Sequence, residues 1–133
     1  MTGARIADAA LQQIGTPFRL LGRVPGQGLD CVGLVAHCLN EVGLTAPAIP
    51  PYALRGDYSN AIVLAFQAPD FQPAQTMALG AIAAVRCASR QYHLMIRVPG
   101  AWVHAHAGLG RVVSTPDPLP WPILGIWQIR GEV

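Results

Sequence analysis

Apolar side chains recur at helical spacing in the first third of the chain and at every second position in much of the last half, so helices should come first and strands after. Ile6, Ala10 and Ile14, with Leu11 beside them, line one side of a short helix over residues 4–14. Gly15-Thr16-Pro17 ends it, because Gly closes a helix and Pro cannot continue one. A loop over 18–28 contains Pro25-Gly26 and Gly28, and a second helix is predicted from Asp30 to Val42. Asp30 suits its N-cap and Gly43 its stop. Thr45 to Pro73 is rich in proline and reads as a long loop around one helical piece, Ala61–Phe66. The period then changes to two. Strands are predicted at Ala81–Cys87, His93–Val98, Trp102–His106, Val112–Ser114 and Ile123–Ile129, with turns at Arg90, Pro99-Gly100 and Gly108–Gly110. Helices followed by an antiparallel sheet make an α+β layout. With no repeat and no dividing linker, residues 1–133 read as one domain.

Composition narrows the partners. Only 12% of residues are charged, about half the usual share, while 52% are hydrophobic, which excludes a disordered chain. The formal net charge is +2 and no Lys/Arg cluster occurs, which argues against nucleic acid as the main partner. The longest apolar runs, Ala61–Phe66 and Leu79–Val85, fall far short of the ~20 residues a spanning helix needs. The start, Met1-Thr2-Gly3-Ala4-Arg5-Ile6-Ala7-Asp8, has no apolar core of a signal peptide, so synthesis in the cytoplasm is expected. The sparse surface charge suits a subunit whose outer faces are covered by neighbours.

Three cysteines, Cys31, Cys38 and Cys87, are too few for a disulfide framework. Cys31 falls in the first turn of the helix capped by Asp30, where unpaired amides and the helix dipole favour a thiolate and can hold an oxyanion. The alternative is that Cys31 is a small buried hydrophobe, as Cys38 and Cys87 are expected to be. Cys38, two turns on, lies ~10 Å from Cys31, too far for a disulfide or a shared zinc, so no metal site is expected. His37 sits roughly 120° round the helix from Cys31 and cannot reach it. His93 opens one strand just after the polar stretch Ser89-Arg90-Gln91, and His104 lies on the next, so a hairpin at Pro99-Gly100 can bring the two side by side. His106 shares the His104 face and stays an alternative to it. A helix-start Cys, a His, and a second ring to orient the first make a nucleophile set.

Two stretches carry a family resemblance. Leu11-Gln12-Gln13-Ile14-Gly15-Thr16-Pro17-Phe18-Arg19 with Gly28-Leu29-Asp30-Cys31-Val32-Gly33-Leu34-Val35 resembles the N-terminal signature of NlpC-type, papain-like cysteine peptidases. Leu79-Gly80-Ala81-Ile82-Ala83, His93-Leu94-Met95-Ile96 and Trp102-Val103-His104-Ala105 are similar to the strand before that family's catalytic histidine and to its second and third catalytic elements. The resemblance implies a papain-like fold with the nucleophile helix packed on a small antiparallel sheet. It implies Cys31 as nucleophile, His93 as general base and His104 as the ring that orients His93. Asp30 and Phe18 would line the substrate cleft; Phe18 stands where relatives usually carry Tyr, and Val32 where many carry Ser. The implied reaction is amide hydrolysis through a thioester, on a peptidoglycan stem peptide, commonly between γ-D-glutamate and the diamino acid, with no cofactor. Pro50-Pro51-Tyr52 and the absent export signal look most like peptidases encoded among phage-like tail genes, which implies tail or baseplate partners, a virion location and action at the cell wall. The other expectation is a structural tail-tip protein that retains the fold with weak or no catalysis.

Overall fold

Alternation in the C-terminal half builds a sheet with two differently used faces. The computed structural model describes residues 2–50, 59–74, 77–88 and 91–130. Its elements are α1 (Thr2–Gln12), β1 (Arg23–Val24), β2 (Gly28–Leu29), α2 (Cys31–Asn40), α3 (Ser59–Ala65), β3 (Phe71–Pro73), β4 (Ile82–Ala88), β5 (Gln91–Val98), β6 (Ala101–His106), β7 (Arg111–Pro116) and β8 (Ile123–Ile129). Six strands form one antiparallel sheet in the order β3-β8-β4-β5-β6-β7, and β1 and β2 pair as a separate short hairpin. The α+β layout is the one the hydrophobic periods dictate.

Leu94, Ile96 and Val98 of β5 join Val103 and Ala105 of β6 on the front face. They pack against Ile6 and Ala10 of α1 and Leu34, Cys38 and Leu39 of α2, all completely or almost completely buried. The intervening residues Met95 and Trp102 point to the back, where Leu119, Trp121 and Ile126 cover them. Asp117 anchors this covering segment. It accepts a hydrogen bond from Trp102 Nε1 at 2.9 Å and pairs with Arg97, whose guanidinium lies over the Trp102 ring. Around Met95 and Trp102 both faces of β5 and β6 are therefore screened from water, which lets apolar side chains stand on two sides there.

Several boundaries differ from the sequence reading. The first helix stops at Gln12, and Ile14 lies half in solvent because the chain already turns toward β7, where the Gly15 amide donates to the Val112 carbonyl. The second helix ends at Asn40 instead of Val42. The loop over 18–28 contains the β1–β2 hairpin, and the proline-rich segment contributes β3, an edge strand paired with β8. Cys87 was expected in the core but is only partly buried, near the end of β4 where a register shift interrupts its pairing with β5. The turn residues Ser89 and Arg90, and Pro51 and Tyr52, lie outside the described residues.

Candidate active site

Asp30 builds the start of α2. Its backbone is extended (φ −96°, ψ −175°), and its side chain accepts from the Gly33 amide at 2.8 Å, an N-cap hydrogen bond. The same oxygen accepts from Arg23 Nη1 at 2.7 Å, and the other accepts from the Leu21 amide at 2.9 Å. That last bond holds Leu21 at φ +60°, a conformation costly for a branched side chain. Gly33 is required for a different reason. A Cβ there would run into the Gly22 carbonyl oxygen, so only glycine lets α2 approach the 19–23 loop. Asp30 is 6% exposed and both its oxygens are engaged by the protein's own donors, so it fixes the walls of the site.

Cys31 follows at the first helical position and lines a groove of about 130 Å³ with Phe18, Leu21, Val32, Tyr92 and His93. The amides of Leu94, Val32 and Cys31 itself face the sulfur. The Leu94 amide is free to do so because of the strand geometry. Arg97 donates to Ala81 across the β4–β5 pair, so Leu94, an odd number of residues away, directs its amide toward β6. The β5–β6 ladder, however, runs only from Val98↔Ala101 to Ile96↔Val103.

These donors do not make a resting thiolate. Cys31 is 6% exposed, and burial pushes its thiol up to about 12 despite the amides, with the Asp30 charge adding to the rise. The expectation that Cys31 is ionised at neutral pH is thus corrected: the dipole of a helix start is outweighed by loss of water around the sulfur. Cys38, completely buried, is pushed to about 12 for the same reason.

His93 reaches both sides of the sheet. It lines the groove with Cys31 and also a second cavity of about 300 Å³ on the back, shared with Cys87, His104, His106 and Trp121. Burial, and then the neighbouring His106, hold its pKa below the usual histidine value. Cys31 and His93 face one groove as a neutral thiol and a neutral imidazole, with no hydrogen bond between them.

His104 is 1% exposed, and burial together with His93 and His106 lowers its pKa to about 4. Its Nε2 meets Thr115 Oγ1 at 2.7 Å, and its ring lies edge-on to Trp121 (5.9 Å between centroids) and to His93 (6.5 Å, 81°). The hairpin does bring His93 and His104 side by side, but their rings touch without a hydrogen bond. His106 is 5.6 Å from His104 and accepts from the Leu109 amide at 3.0 Å through Nδ1. His37 stands apart, 3.9 Å from Glu41, the residue that caps the end of α2. Among the described residues no group of side chains could hold a metal ion, and no helix is long and apolar enough to cross a membrane.

No family model matches the sequence, and no curated protein matches it. Solved structures do. NlpC1 from Trichomonas vaginalis superposes with a TM-score of 0.69 at 20% identity, over 95% of this chain and 44% of that one. The peptidoglycan hydrolase RipB from Mycobacterium tuberculosis gives 0.62 at 20% identity, over 96% of this chain and 64% of RipB. The NlpC/p60 domain of the peptidoglycan hydrolase SagA gives 0.58 at 22% identity, over 86% and 88% of the two chains. The chain has the NlpC/P60 fold. It spans less than half the length of the Trichomonas protein and about two-thirds of RipB.

On the NlpC/P60 fold, Cys31, His93, Asp30 and Phe18, all singled out from sequence, share one groove, and His104 lies behind it. Sequence reading missed the Leu94 amide, Arg23, Ile49 and Tyr92 in the groove and Thr115 and Trp121 around His104. The alternation of β7 places Thr115 on the His104 face, but the β6–β7 register that sets its hydroxyl diagonally beside His104 is a long-range pairing that the sequence does not encode locally.

Proposed function

We propose that this protein is a cysteine hydrolase that cleaves amide bonds in peptidoglycan stem peptides through a thioester acyl-enzyme. The observation that carries the reading is the shared groove of Cys31 and His93, with three backbone amides directed at the sulfur. The neutral pair fixes how attack proceeds. His93 removes the thiol proton as Sγ attacks the substrate carbonyl, because a free thiolate is not populated beforehand. The amides of Cys31 and Val32 are at hand for the oxyanion. His93 then passes its proton to the leaving amine, and water attacks the thioester to return the thiol. Arg23, partly exposed at the groove, offers the cationic donor for a substrate carboxylate. The finer reading, from the residue resemblance, is the γ-D-glutamyl–diamino acid bond and delivery by a phage-like tail to the cell wall.

One observation favours a second reading. The near-complete burial of Cys31 and its raised pKa suit a structural module that keeps the fold with little turnover. Digestion of purified murein, with new ends identified by mass spectrometry and Cys31→Ala as control, separates the two. Fragments with a freed diamino-acid amine, absent with the variant, support the hydrolase. No release beyond that of the folded variant supports the structural module.

A further inference from the structure

We propose that Thr115 is a positioning residue of the catalytic apparatus, acting through His104; the inference rests on reading Cys31 and His93 as the catalytic pair. His104 is the most buried polar ring behind the groove, and the one hydrogen bond of its ring joins Nε2 and the Thr115 hydroxyl at 2.7 Å. Thr115 stands opposite Trp102 in the β6–β7 ladder, and His104 opposite Val113, so the two are diagonal neighbours on the back face. Nδ1 of His104 is buried and has no partner.

A neutral imidazole carries one proton, and the two positions for it are not equivalent here. With the proton on Nδ1, a buried N–H has no acceptor, which is the costlier orphan. With the proton on Nε2, it is donated to Thr115, and Nδ1 keeps a lone pair. Thr115 therefore selects the tautomer in which His104 presents an acceptor among the rings packed around it, those of His93, His106 and Trp121. His106 cannot take that part in the same way, since its own Nδ1 lone pair is occupied by the Leu109 amide. When His93 becomes an imidazolium during turnover, a fixed lone pair beside it is favourable, whereas a fixed N–H would repel it. Without Thr115, His104 loses its tautomer preference and its tether at once.

The test uses Thr115→Val, which keeps shape and strand propensity but removes the hydroxyl, with Thr115→Ser as rescue and Thr115→Ala in place of Val should that protein not fold. Long-range 1H–15N NMR should report the Nε2–H form of His104 in the natural protein and in the Ser variant, and a mixture in the Val variant. On a soluble stem peptide, Val should lower kcat about tenfold with KM within about twofold, and Ser should restore it. In a His104→Ala background, Thr115→Val should add no further loss. A Val variant with natural kcat, a loss confined to KM, or an additive loss without His104 overturns the proposal while leaving the hydrolase reading intact. If the natural protein cleaves no stem peptide, the hydrolase reading fails, and a tautomer unchanged by Thr115→Val then also overturns the role of Thr115.

Discussion

The amide of Leu94 faces the sulfur of Cys31 because β6 stops pairing with β5 at Ile96↔Val103. A main-chain donor that would otherwise be spent inside a sheet is thereby delivered to a helix start on another element. The gap lies one residue from His93, so a single irregularity in the ladder supplies both the opening that His93 lines and a donor for the sulfur.

Burial sets the order of thiol reactivity. Cys87 is partly exposed and its pKa is raised less than those of Cys31 and Cys38. Iodoacetamide at pH 7.5 should therefore label Cys87 first, with Cys31 slower by roughly tenfold or more and Cys38 last. Peptide mapping over a time course checks this. Selective labelling of Cys31 at pH 6 would show a thiolate and contradict the neutral pair.

The same neutral pair predicts the pH dependence of turnover. In the proposed mechanism His93 must be unprotonated to accept the thiol proton, and its pKa lies below 6.5. The rate should be lost as pH falls through that lowered value and stay flat from about pH 7 to 9, because the Cys31 thiol titrates only near 12. An acid limb centred above 6.5 in kcat/KM would be inconsistent with this arrangement.

Stability should weaken in acid for a related reason. The His104 pKa falls from 6.5 in the unfolded chain to about 4 in the fold. A depressed pKa contributes stability that is fully present above pH 6.5 and is lost as pH drops toward 4, at most on the order of 3 kcal/mol. Thermal melts should show Tm falling by several degrees across that window. His104→Gln, which cannot titrate, should flatten the slope even if it lowers Tm at pH 7.

Gly33→Ala should damage fold and site together. The added methyl meets the Gly22 carbonyl oxygen, so either α2 or the 19–23 loop must move. The expected cost is about 2–4 kcal/mol, with loss of the Asp30–Leu21 hydrogen bond. Urea denaturation measures the first effect. An Ala variant as stable as the natural protein would mean that the loop yields freely.

Local chemistry made much of this legible. Asp30 announces a helix start whatever surrounds it, because capping depends on residues within one turn; alternation assigns His93 and His104 to one face of a hairpin because the strand period is two. Edge and irregular pieces were not legible in the same way. β3 is held by β8 from across the chain, β1 and β2 are two residues each, and the partial exposure of Cys87 follows from a register shift. Long-range pairing decides such features, and no local pattern encodes it.

The sequence by itself determined the order of helices and strands, the position of Cys31 at a capped helix start, and the common face of His93, His104 and His106. Tertiary structure alone decided which amides reach the sulfur, that His104 turns to Thr115, and that the thiol and imidazole rest uncharged. Periodicity and capping act within a few residues and can be read in order along the chain. Protonation depends on how much water packing removes and which distant dipoles it brings near, and those are properties of the folded solid.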